Sequence, residues 1–320
     1  MRNSFSKALL AATIGSLTLT GVAMAQDFPS QPVNIILSSG AGSSVDAMAR
    51  TLAAAAEKEL GQPVIVHNRA GGDGAVAMSD LLRAPADGYN LWAATKTFPV
   101  SMNTTLKGQF KMEDFYPLVR VQVDPFALVV QNDAPWTNLE EFIADAKTKP
   151  LTVGGFGSSS PHGLFAFNLV KASGADLTWI PYNAGSDAIT ALMGGHVEAV
   201  LSNPSSMMQQ VKSGLLRVLA VATDERSPNL PDIPTFKEQG YDLVDAQWRG
   251  LFVKAGTPSE IVAKLDGAFS KAIKTEEFQQ YLLNTVQEDG YLGPEEFSKY
   301  VVEELDAVTA SADEFQKYIE

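Results

Sequence analysis

The chain has 320 residues, no cysteine and a formal net charge of −13. The negative charge argues against nucleic acid or an anionic lipid surface as a partner. The absence of cysteine excludes thiolate metal sites and cysteine nucleophiles. The length suits two average domains, whose cores are large enough to be stable without disulfide bonds.

The first 25 residues have the pattern of a secretory signal peptide. Arg2 and Lys7 give a positive start, residues 8–22 are apolar and small, and residues 23–25 read Ala-Met-Ala, an A-x-A cleavage site. We therefore predict export to the periplasm and a mature chain that begins near Gln26. An uncleaved membrane anchor is the alternative, although the apolar run is short for a membrane span.

Strand and helix patterns alternate from residue 33 onwards. The predicted elements of the first part are strands at 33–37, 63–66 and 89–94, and helices at 45–60, closed by Gly61, and 76–83. A second alternation begins after Asp124 and Pro125, with strands at 127–131, 151–154, 177–180, 197–201 and 216–222 and helices at 139–147, 162–172, 186–193 and 205–212. Such alternation is typical of open, mostly parallel sheets.

The C-terminal part has a strand at 250–253 and helices near 261–273, 276–284 and 295–315, which have no sheet of their own. We predict that they pack on the first lobe, so that lobe 1 comprises residues 26–125 and 248–320 and lobe 2 residues 126–247. A chain that crosses twice between lobes forms a hinge and a cleft that can close. Two consecutive domains, with these helices on the second, are the alternative.

Two Gly/Ser-rich loops, each between a strand and a helix, are the main candidate ligand-binding segments. Glycine allows close backbone approach, and a helix start offers unpaired N–H groups and a partial positive charge to an anion. We expect these helix ends, not cationic side chains, to neutralise a bound acid. The predicted residues are Ser39, Gly40, Ala41, Gly42, Ser43, Ser44 and Asp46 in lobe 1, and Gly157, Ser158, Ser159, Ser160 and His162 in lobe 2.

A purely structural interpretation of both loops is also open. Ser43 or Ser44 could be an N-cap with Asp46 in the first turn, and Ser160 with Pro161 fits an N-cap followed by proline. Strand ends supply the remaining predicted ligand-binding residues, which are Thr95, Phe98, Tyr182, Asn183 and Asn203. Lys96 either pairs with a ligand carboxylate or is a solvated loop lysine, and Trp248 either stacks on a ligand or fills the hinge.

No pattern for catalysis, a metal or a cofactor is present, and we predict a non-enzymatic protein with none of these. His67, His162 and His196 lack metal-ligand spacing, and the glycine loops lack complete dinucleotide, P-loop and G-x-S-x-G signatures. A secreted serine hydrolase using the serines of 158–160 and His162 is the alternative, but no acid orients the histidine.

Short motifs follow in a fixed order from residue 28 to residue 315. They are F-P-S-Q-P-V at 28–33, G-x-G-S at 40–43 with Asp46 and Arg50, L-G-Q-P-V-I-V at 60–66, N-R-A-G-G-x-G at 68–74, A-D-G-Y at 86–89, Gly157 with Ser158, His162, I-P-Y-N-A at 180–184, G-H-V-E at 195–198, Arg226 with Ser227, D-I-P-T at 232–235 and G-Y at 240–241. With this set, the chain resembles the Bug or TctC family, the substrate-binding proteins of tripartite tricarboxylate transporters.

The resemblance implies a type II periplasmic-binding-protein fold of two α/β lobes around a ligand cleft. It implies a small organic carboxylate, a di- or tricarboxylate or an aromatic acid, held by backbone N–H groups and water bridges. The partner would be the multi-span permease of such a transporter, and the protein a monomer; a ligand sensor for a membrane receptor remains an alternative. The sequence departs from the family at 38–44, which lacks consecutive glycines, and at 182–184, where Asn183 replaces a usual cation.

Overall fold

The computed structural model describes residues 28–319, so the predicted signal peptide at 1–25 lies outside the described residues. The strands are β1 (Val33–Leu37), β2 (Val64–Asn68), β3 (Asn90–Thr95), β4 (Phe115–Pro125), β5 (Ala127–Gln131), β6 (Leu151–Phe156), β7 (Leu177–Tyr182), β8 (Ala199–Ser202), β9 (Leu216–Val221), β10 (Ala246–Lys254) and β11 (Glu288–Leu292). The helices are α1 (Ser44–Leu60), α2 (Ala75–Arg83), α3 (Thr97–Asn103), α4 (Leu139–Ala146), α5 (Pro161–Ser173), α6 (Gly185–Met193), α7 (Met208–Lys212), α8 (Ser259–Ile273), α9 (Glu276–Asn284) and α10 (Pro294–Ile319). None of the helices within residues 28–319 has both the length and the apolar character that crossing a bilayer requires.

The strands form two separate mixed sheets. The first has the order β11-β4-β10-β3-β1-β2. In it, β1 is parallel to both β2 and β3, whereas β10 is antiparallel to both β3 and β4. The second has the order β7-β6-β8-β5-β9, with β6 parallel to β7 and β8. Helices cover both faces of each sheet. This confirms the predicted α/β class with two sheets, while the lobe boundaries at 125/126 and 247/248 stay predictions.

Helix α1 shows how local sequence sets one element that positions the site. Ser43 caps its start by accepting from the N–H of Asp46, and Gly61 ends it in the left-handed conformation. Met48 and Leu52, one turn apart, are fully buried against the first sheet. Because this apolar face packs on the sheet, the start of the helix is held beside the carboxyl end of β1.

Two crossing strands connect the sheets, and sequence patterns missed much of both. Strand β4 has no predicted counterpart, and β10 is longer than the predicted strand at 250–253. The two pair antiparallel along their length, from Ala246 opposite Pro125 to Lys254 opposite Phe115. This pairing joins segments that are far apart in the sequence, so local sequence patterns do not predict it. Strand β11 was also missed, because Asp289 and Gly290 have low strand propensity.

The C-terminal helices pack chiefly on the first sheet, and the last one also reaches the second. Helices α8 and α9 pack on α1, and α10 packs on β4 and α3. The end of α10 then contacts α5, where the rings of Phe315 and Phe167 lie 5.9 Å apart. Tyr318 donates to the carbonyl of Leu177 at 3.1 Å. Helix α10 is therefore a third link between the two halves.

Candidate functional site

A cleft of about 710 Å³ lies between the two sheets and is lined by both. It opens where β1, β3, β6 and β8 end, the side of open α/β sheets at which ligands bind. Of the predicted ligand-binding residues, those that line it are Ser39, Ser43, Ser44, Thr95, Phe98, His162, Asn183 and Asn203. The predicted residues that do not line it are Gly40, Ala41, Gly42, Asp46, Gly157, Ser158, Ser159, Ser160 and Tyr182.

The first glycine loop brings its serines, rather than its glycines, to the cleft. The hydroxyls of Ser39 and Ser43 share a hydrogen bond of 2.8 Å, and Ser43 also accepts from the N–H of Asp46 at 3.2 Å. Ser43 is therefore the N-cap of α1 and also lines the cleft, so its ligand role stays a prediction. Gly40 and Ala41 are exposed outside it.

Asp46 lies behind this loop and shapes it. Its carboxylate accepts from the N–H of Gly42 at 3.0 Å, from Arg50 at 2.9 and 3.0 Å, and from Nδ2 of Asn68 at 2.9 Å. The Arg50 hydrogen bond, followed by the Gly42 N–H, holds the pKa of Asp46 well below its ordinary value. Asp46 is 4% exposed and does not line the cleft, so it positions the loop from behind.

The second glycine loop uses its polar groups within itself. The hydroxyl of Ser160 accepts from the N–H of Gly163 at 3.0 Å and donates to the carbonyl of Gly157 at 3.2 Å. The same carbonyl accepts from Nε1 of Trp179 at 3.0 Å, and Gly157 takes a φ of 67° that favours glycine. Ser159 lies at a different surface depression, beside α10. Ser160 thus acts as the N-cap of α5, the structural interpretation of this loop.

Helix α6, beside the second sheet, also has its start in the cleft lining. Asn183, Ala184 and Gly185 line it, and Ala184, at the N-cap position, provides no side-chain cap. Tyr182 faces elsewhere and packs against the apolar cluster under α6. The cleft therefore lies between the starts of α1 and α6, which belong to opposite sheets.

His162 is a buried, neutral group in the wall of the cleft. Its Nε2 lies 2.9 Å from Oδ1 of Asn203, and its ring lies 4.8 Å from that of Phe126. Burial lowers the pKa of His162 to about 4, against a weaker opposing effect of the Asn203 hydrogen bond. The bond to Asn203 occupies Nε2, and Nδ1 has no partner among the described residues. The serine–histidine pair that a hydrolase needs is therefore not formed.

Strand β10 contributes two cleft residues that sequence analysis missed, Gln247 and Arg249. Arg249 is 5% exposed, and its Nη2 donates to the hydroxyl of Ser44 at 3.0 Å. It reaches the cleft because β10 pairs with β3 and places it opposite Thr95. The predicted strand at 250–253 began one residue after it, and no local pattern indicated a ligand role. The expectation that helix ends alone provide the positive charge is thereby revised, since a buried cation lies beside the start of α1.

The loop at 71–74 also lines the cleft, although sequence analysis gave it no ligand role. Gly71, Gly72, Asp73 and Gly74 all have positive φ, between 52° and 136°. A Cβ on Gly74 would lie 3.2 Å from the hydroxyl of Ser38, so glycine permits the close approach of this loop to the end of β1.

Lys96 and Trp248, each left with two interpretations, both lie outside the cleft lining. Lys96 forms ion pairs with Asp245, at 2.6 Å, and with Glu304, and its side chain is 7% exposed. It is thus neither a ligand contact nor a solvated lysine. Trp248 is fully buried, donates to Glu304 at 2.6 Å and packs edge-on against Phe297, so it is a core residue beside the first sheet. Within residues 28–319, no group of three His, Asp or Glu side chains could hold a metal ion.

Comparisons with known proteins give one consistent family. Residues 48–313 match the family model TctC, described as the tripartite tricarboxylate transporter family receptor. A "UPF0065 protein in gbd 5'region" of Cupriavidus necator is 33% identical over 309 residues, which is 94% of each chain. A TctC solute binding protein from Polaromonas, solved without ligand, has a TM-score of 0.82 and 31% identity over 90% of this chain and 99% of that chain.

Two further solved structures contain small dicarboxylates. MatC of Rhodopseudomonas palustris, with bound malate, is 26% identical with a TM-score of 0.71, over 92% of this chain and 100% of that chain. A second R. palustris protein, with adipate, is 25% identical with a TM-score of 0.74, over 92% of this chain and 98% of that chain.

These similarities confirm the predicted family and the two-lobed binding-protein fold. Receptors of this family are periplasmic, bind small carboxylates, work with a membrane transporter and are not enzymes, so the hydrolase alternative has no support. The chain therefore belongs to the TctC family of receptors for tripartite tricarboxylate transporters.

Proposed function

We propose that this protein captures a small organic carboxylate in the cleft and delivers it to the membrane subunits of a tripartite tricarboxylate-type transporter. It is exported with loss of residues 1–25 and acts in the periplasm as a monomer. One observation carries the proposal: the starts of α1 and α6, from opposite sheets, line one cleft together with a buried arginine.

The electrostatics of the cleft favour an anion although the chain is acidic. Each helix start contributes a partial positive charge of roughly half an elementary charge. The charged side chains among the described cleft residues are Arg249, which is buried, and Asp73, which is exposed. An acid in the cleft therefore meets positive potential from two sides, with one buried cation and no buried carboxylate in the lining.

The remaining lining suits a short hydrocarbon body. The side chains of Val45, Met78, Trp92, Phe98 and Phe156 are apolar or largely so. A cleft of about 710 Å³ is within the range of small-molecule sites. Malate and adipate, the acids in the two relatives, differ in chain length and hydroxylation but share terminal carboxylates. Carboxylates on a short carbon chain are accordingly the proposed ligand class.

The predicted residues divide into two proposed roles. Those that line the cleft are the proposed contacts, namely Ser39, Ser43, Ser44, Thr95, Phe98, His162, Asn183 and Asn203. The others shape the two loops or pack behind them, namely Gly40, Ala41, Gly42, Asp46, Gly157, Ser158, Ser159, Ser160 and Tyr182.

A panel of mono- and dicarboxylates of four to eight carbons, including malate and adipate, tests the proposal. With residues 26–320, we expect at least one acid to raise the melting temperature and to give a heat of binding. At a hundred times its Kd, such a ligand stabilises the fold by about 2.7 kcal/mol. No shift and no heat from any acid of the panel would refute carboxylate capture.

The variant Asn183→Asp adds a negative charge at the start of α6, inside the cleft. We expect it to weaken acid binding by at least about tenfold, because like charges in a desolvated site repel. Asn132→Asp adds the same charge at an exposed position of the same lobe and is the matched control. Equal affinities of the two variants would contradict an anion at the start of α6.

A further inference from the structure

Arg249 lies where a ligand carboxylate would meet the first lobe. It lines the cleft and donates through Nη2 to the hydroxyl of Ser44, the first residue of α1. The guanidinium and the start of α1 are therefore adjacent. Together they combine a full positive charge with a partial one at a single position.

Most of the donors of Arg249 are unused within the protein. A guanidinium has five N–H donors, and Nε and Nη1 together carry three of them. Both atoms are buried and have no hydrogen-bond partner among residues 28–319. Leaving charged donors buried and unpaired is costly, so a partner whose acceptor atoms reach them recovers part of that cost.

Asp124 balances the charge of Arg249 without using these donors. Its Oδ2 lies 4.0 Å from Nη2, too far for a hydrogen bond. The same oxygen accepts from the hydroxyl of Ser205 at 2.6 Å and from Nε2 of Gln287 at 3.3 Å. Oδ2 of Asp124 is thus held by other partners, and Oδ1 has no hydrogen-bond partner among residues 28–319. Neither oxygen uses the unpaired donors of Arg249, which leaves them for a second anion.

Lys96 shows what a purely structural buried cation looks like in the same hinge. Its ammonium is paired with two carboxylates, those of Asp245 and Glu304, and it does not line the cleft. Arg249 has one distant carboxylate and faces the cleft. Lys96 thus stabilises the fold through its two ion pairs, whereas Arg249 has donors left for a ligand.

We propose that Arg249 binds a carboxylate of the captured acid through its unused donors, beside the start of α1, and so selects acids over their neutral analogues. This inference rests on the proposed function of the cleft, in which Arg249 would distinguish a charged carboxylate from a neutral group. Lysine is a poor substitute, because one ammonium cannot reproduce the planar fork that reaches Ser44 and a ligand together.

The test compares the tightest-binding acid of the panel with its primary amide, by calorimetry on wild type and three variants. We expect Arg249→Met to weaken binding of the acid by about 30-fold or more and binding of the amide by less than about threefold. Arg249→Lys should recover part of the loss. Arg217→Met is the control, because Arg217 donates to the backbone carbonyls of Trp136 and Asn132 and does not line the cleft.

The outcomes are distinguishable. If wild type binds an acid and a folded Arg249→Met variant binds it within about threefold of wild type, the role of Arg249 is refuted and carboxylate capture stands. If wild type binds no acid, both fail. Should the variants not fold, Arg Nε–H spectra of wild type decide: a buried Nε–H resonance that shifts on adding the acid supports the proposal, and an unchanged spectrum overturns it.

Discussion

Nε2 of His162 lies 2.9 Å from Oδ1 of Asn203, and this contact fixes the protonation of the imidazole. Nδ2 of Asn203 donates to the carbonyls of Asp124 and Pro125 at 2.8 and 3.1 Å, so Oδ1 is left as the acceptor. His162 therefore donates through Nε2, and Nδ1 keeps the lone pair. The pair ties the start of α5 to the first crossing between the sheets.

This arrangement predicts a defined loss of stability in acid. Burial lowers the pKa of His162 from 6.5 to about 4, so between these values the unfolded chain binds a proton that the folded chain does not. The neutral histidine therefore contributes fully to the free energy of unfolding above pH 6.5. As the pH falls to 4, that free energy decreases by roughly 3 kcal/mol. The measurement is the free energy of unfolding of wild type and His162→Gln in urea at pH 4 to 7.

The difference between the two proteins isolates the histidine from other titrating groups. Asp124 acts in the opposite direction, because burial raises its pKa from 3.8 to about 6 and the folded chain takes up that proton first. Both proteins contain Asp124, so its effect cancels. If the free energies of unfolding of wild type and His162→Gln differ by the same amount from pH 4 to 6.5, His162 is not a neutral buried group.

Asp124 also predicts how acid binding depends on pH. The charged or titratable groups that act on it are Arg249, Glu288 and Tyr281. An acid bound at Arg249 adds a second anion nearby and raises the pKa of Asp124 further, so binding takes up a proton. We expect affinity to increase about threefold or more from pH 8 to pH 6 in wild type, by linkage.

The variant Asp124→Asn is the control for this dependence. With no proton to take up, its affinity should be nearly flat from pH 8 to pH 6 and at least as tight as that of wild type. Calorimetry with the tightest acid of the panel, in buffers of different ionisation enthalpy, measures both quantities. If wild type takes up no proton on binding, the prediction that Asp124 and the bound acid both interact with Arg249 is wrong.

Asp46 is predicted to matter for the first loop although it does not line the cleft. Asp46→Asn weakens the bonds to Arg50 and to the N–H of Gly42, and should cost about 1–3 kcal/mol of unfolding free energy and weaken acid binding. The low pKa of Asp46 means that this stabilisation is present above pH 3.8 and is lost as the pH falls below it.

Asp187 provides the matched control, because it also lies in the first turn of a helix but is exposed. Asp187→Asn should change stability by only a few tenths of a kcal/mol. Urea denaturation and calorimetry of the two variants measure the difference. Equal effects would mean that Asp46 acts only through the helix dipole.

Gly155 is predicted to have no room for a side chain. A Cβ there would lie 2.2 Å from Cη2 of Trp179 and 2.9 Å from the carbonyl oxygen of Leu201. Gly155→Ala should therefore destabilise by about 1–3 kcal/mol and shift the tryptophan fluorescence, since Trp179 must move. Gly267, in α8, has nothing within 4 Å of its Cβ position, so Gly267→Ala should stabilise by about 0.5–1 kcal/mol. A neutral Gly155→Ala would contradict this packing.

Local signals explain which parts of the fold sequence analysis could predict. Helix α1 was predicted because Ser43 and Gly61 mark its ends and its apolar period is regular. Strand β4 was missed because Pro117 interrupts a pattern that is completed only by pairing with β10. The information for β4 is distributed over two distant segments.

The same distinction applies to the site. Asn183 and His162 were predicted because strand ends followed by helix starts converge at one edge of a sheet. Arg249 was not predicted, since it lies in mid-strand and reaches the cleft only through its pairing opposite Thr95. Ser160 had a ligand interpretation and a cap interpretation, and its bond to the N–H of Gly163 shows that it caps α5.

A crystal structure with the tightest-binding acid of the panel tests the central claim most directly. We predict a ligand carboxylate within hydrogen-bond distance of backbone N–H groups at the start of α1 and of the Arg249 guanidinium, with the start of α6 facing it across the cleft. A ligand whose carboxylate groups all lie away from residues 43–45, residues 183–186 and Arg249 would contradict the account.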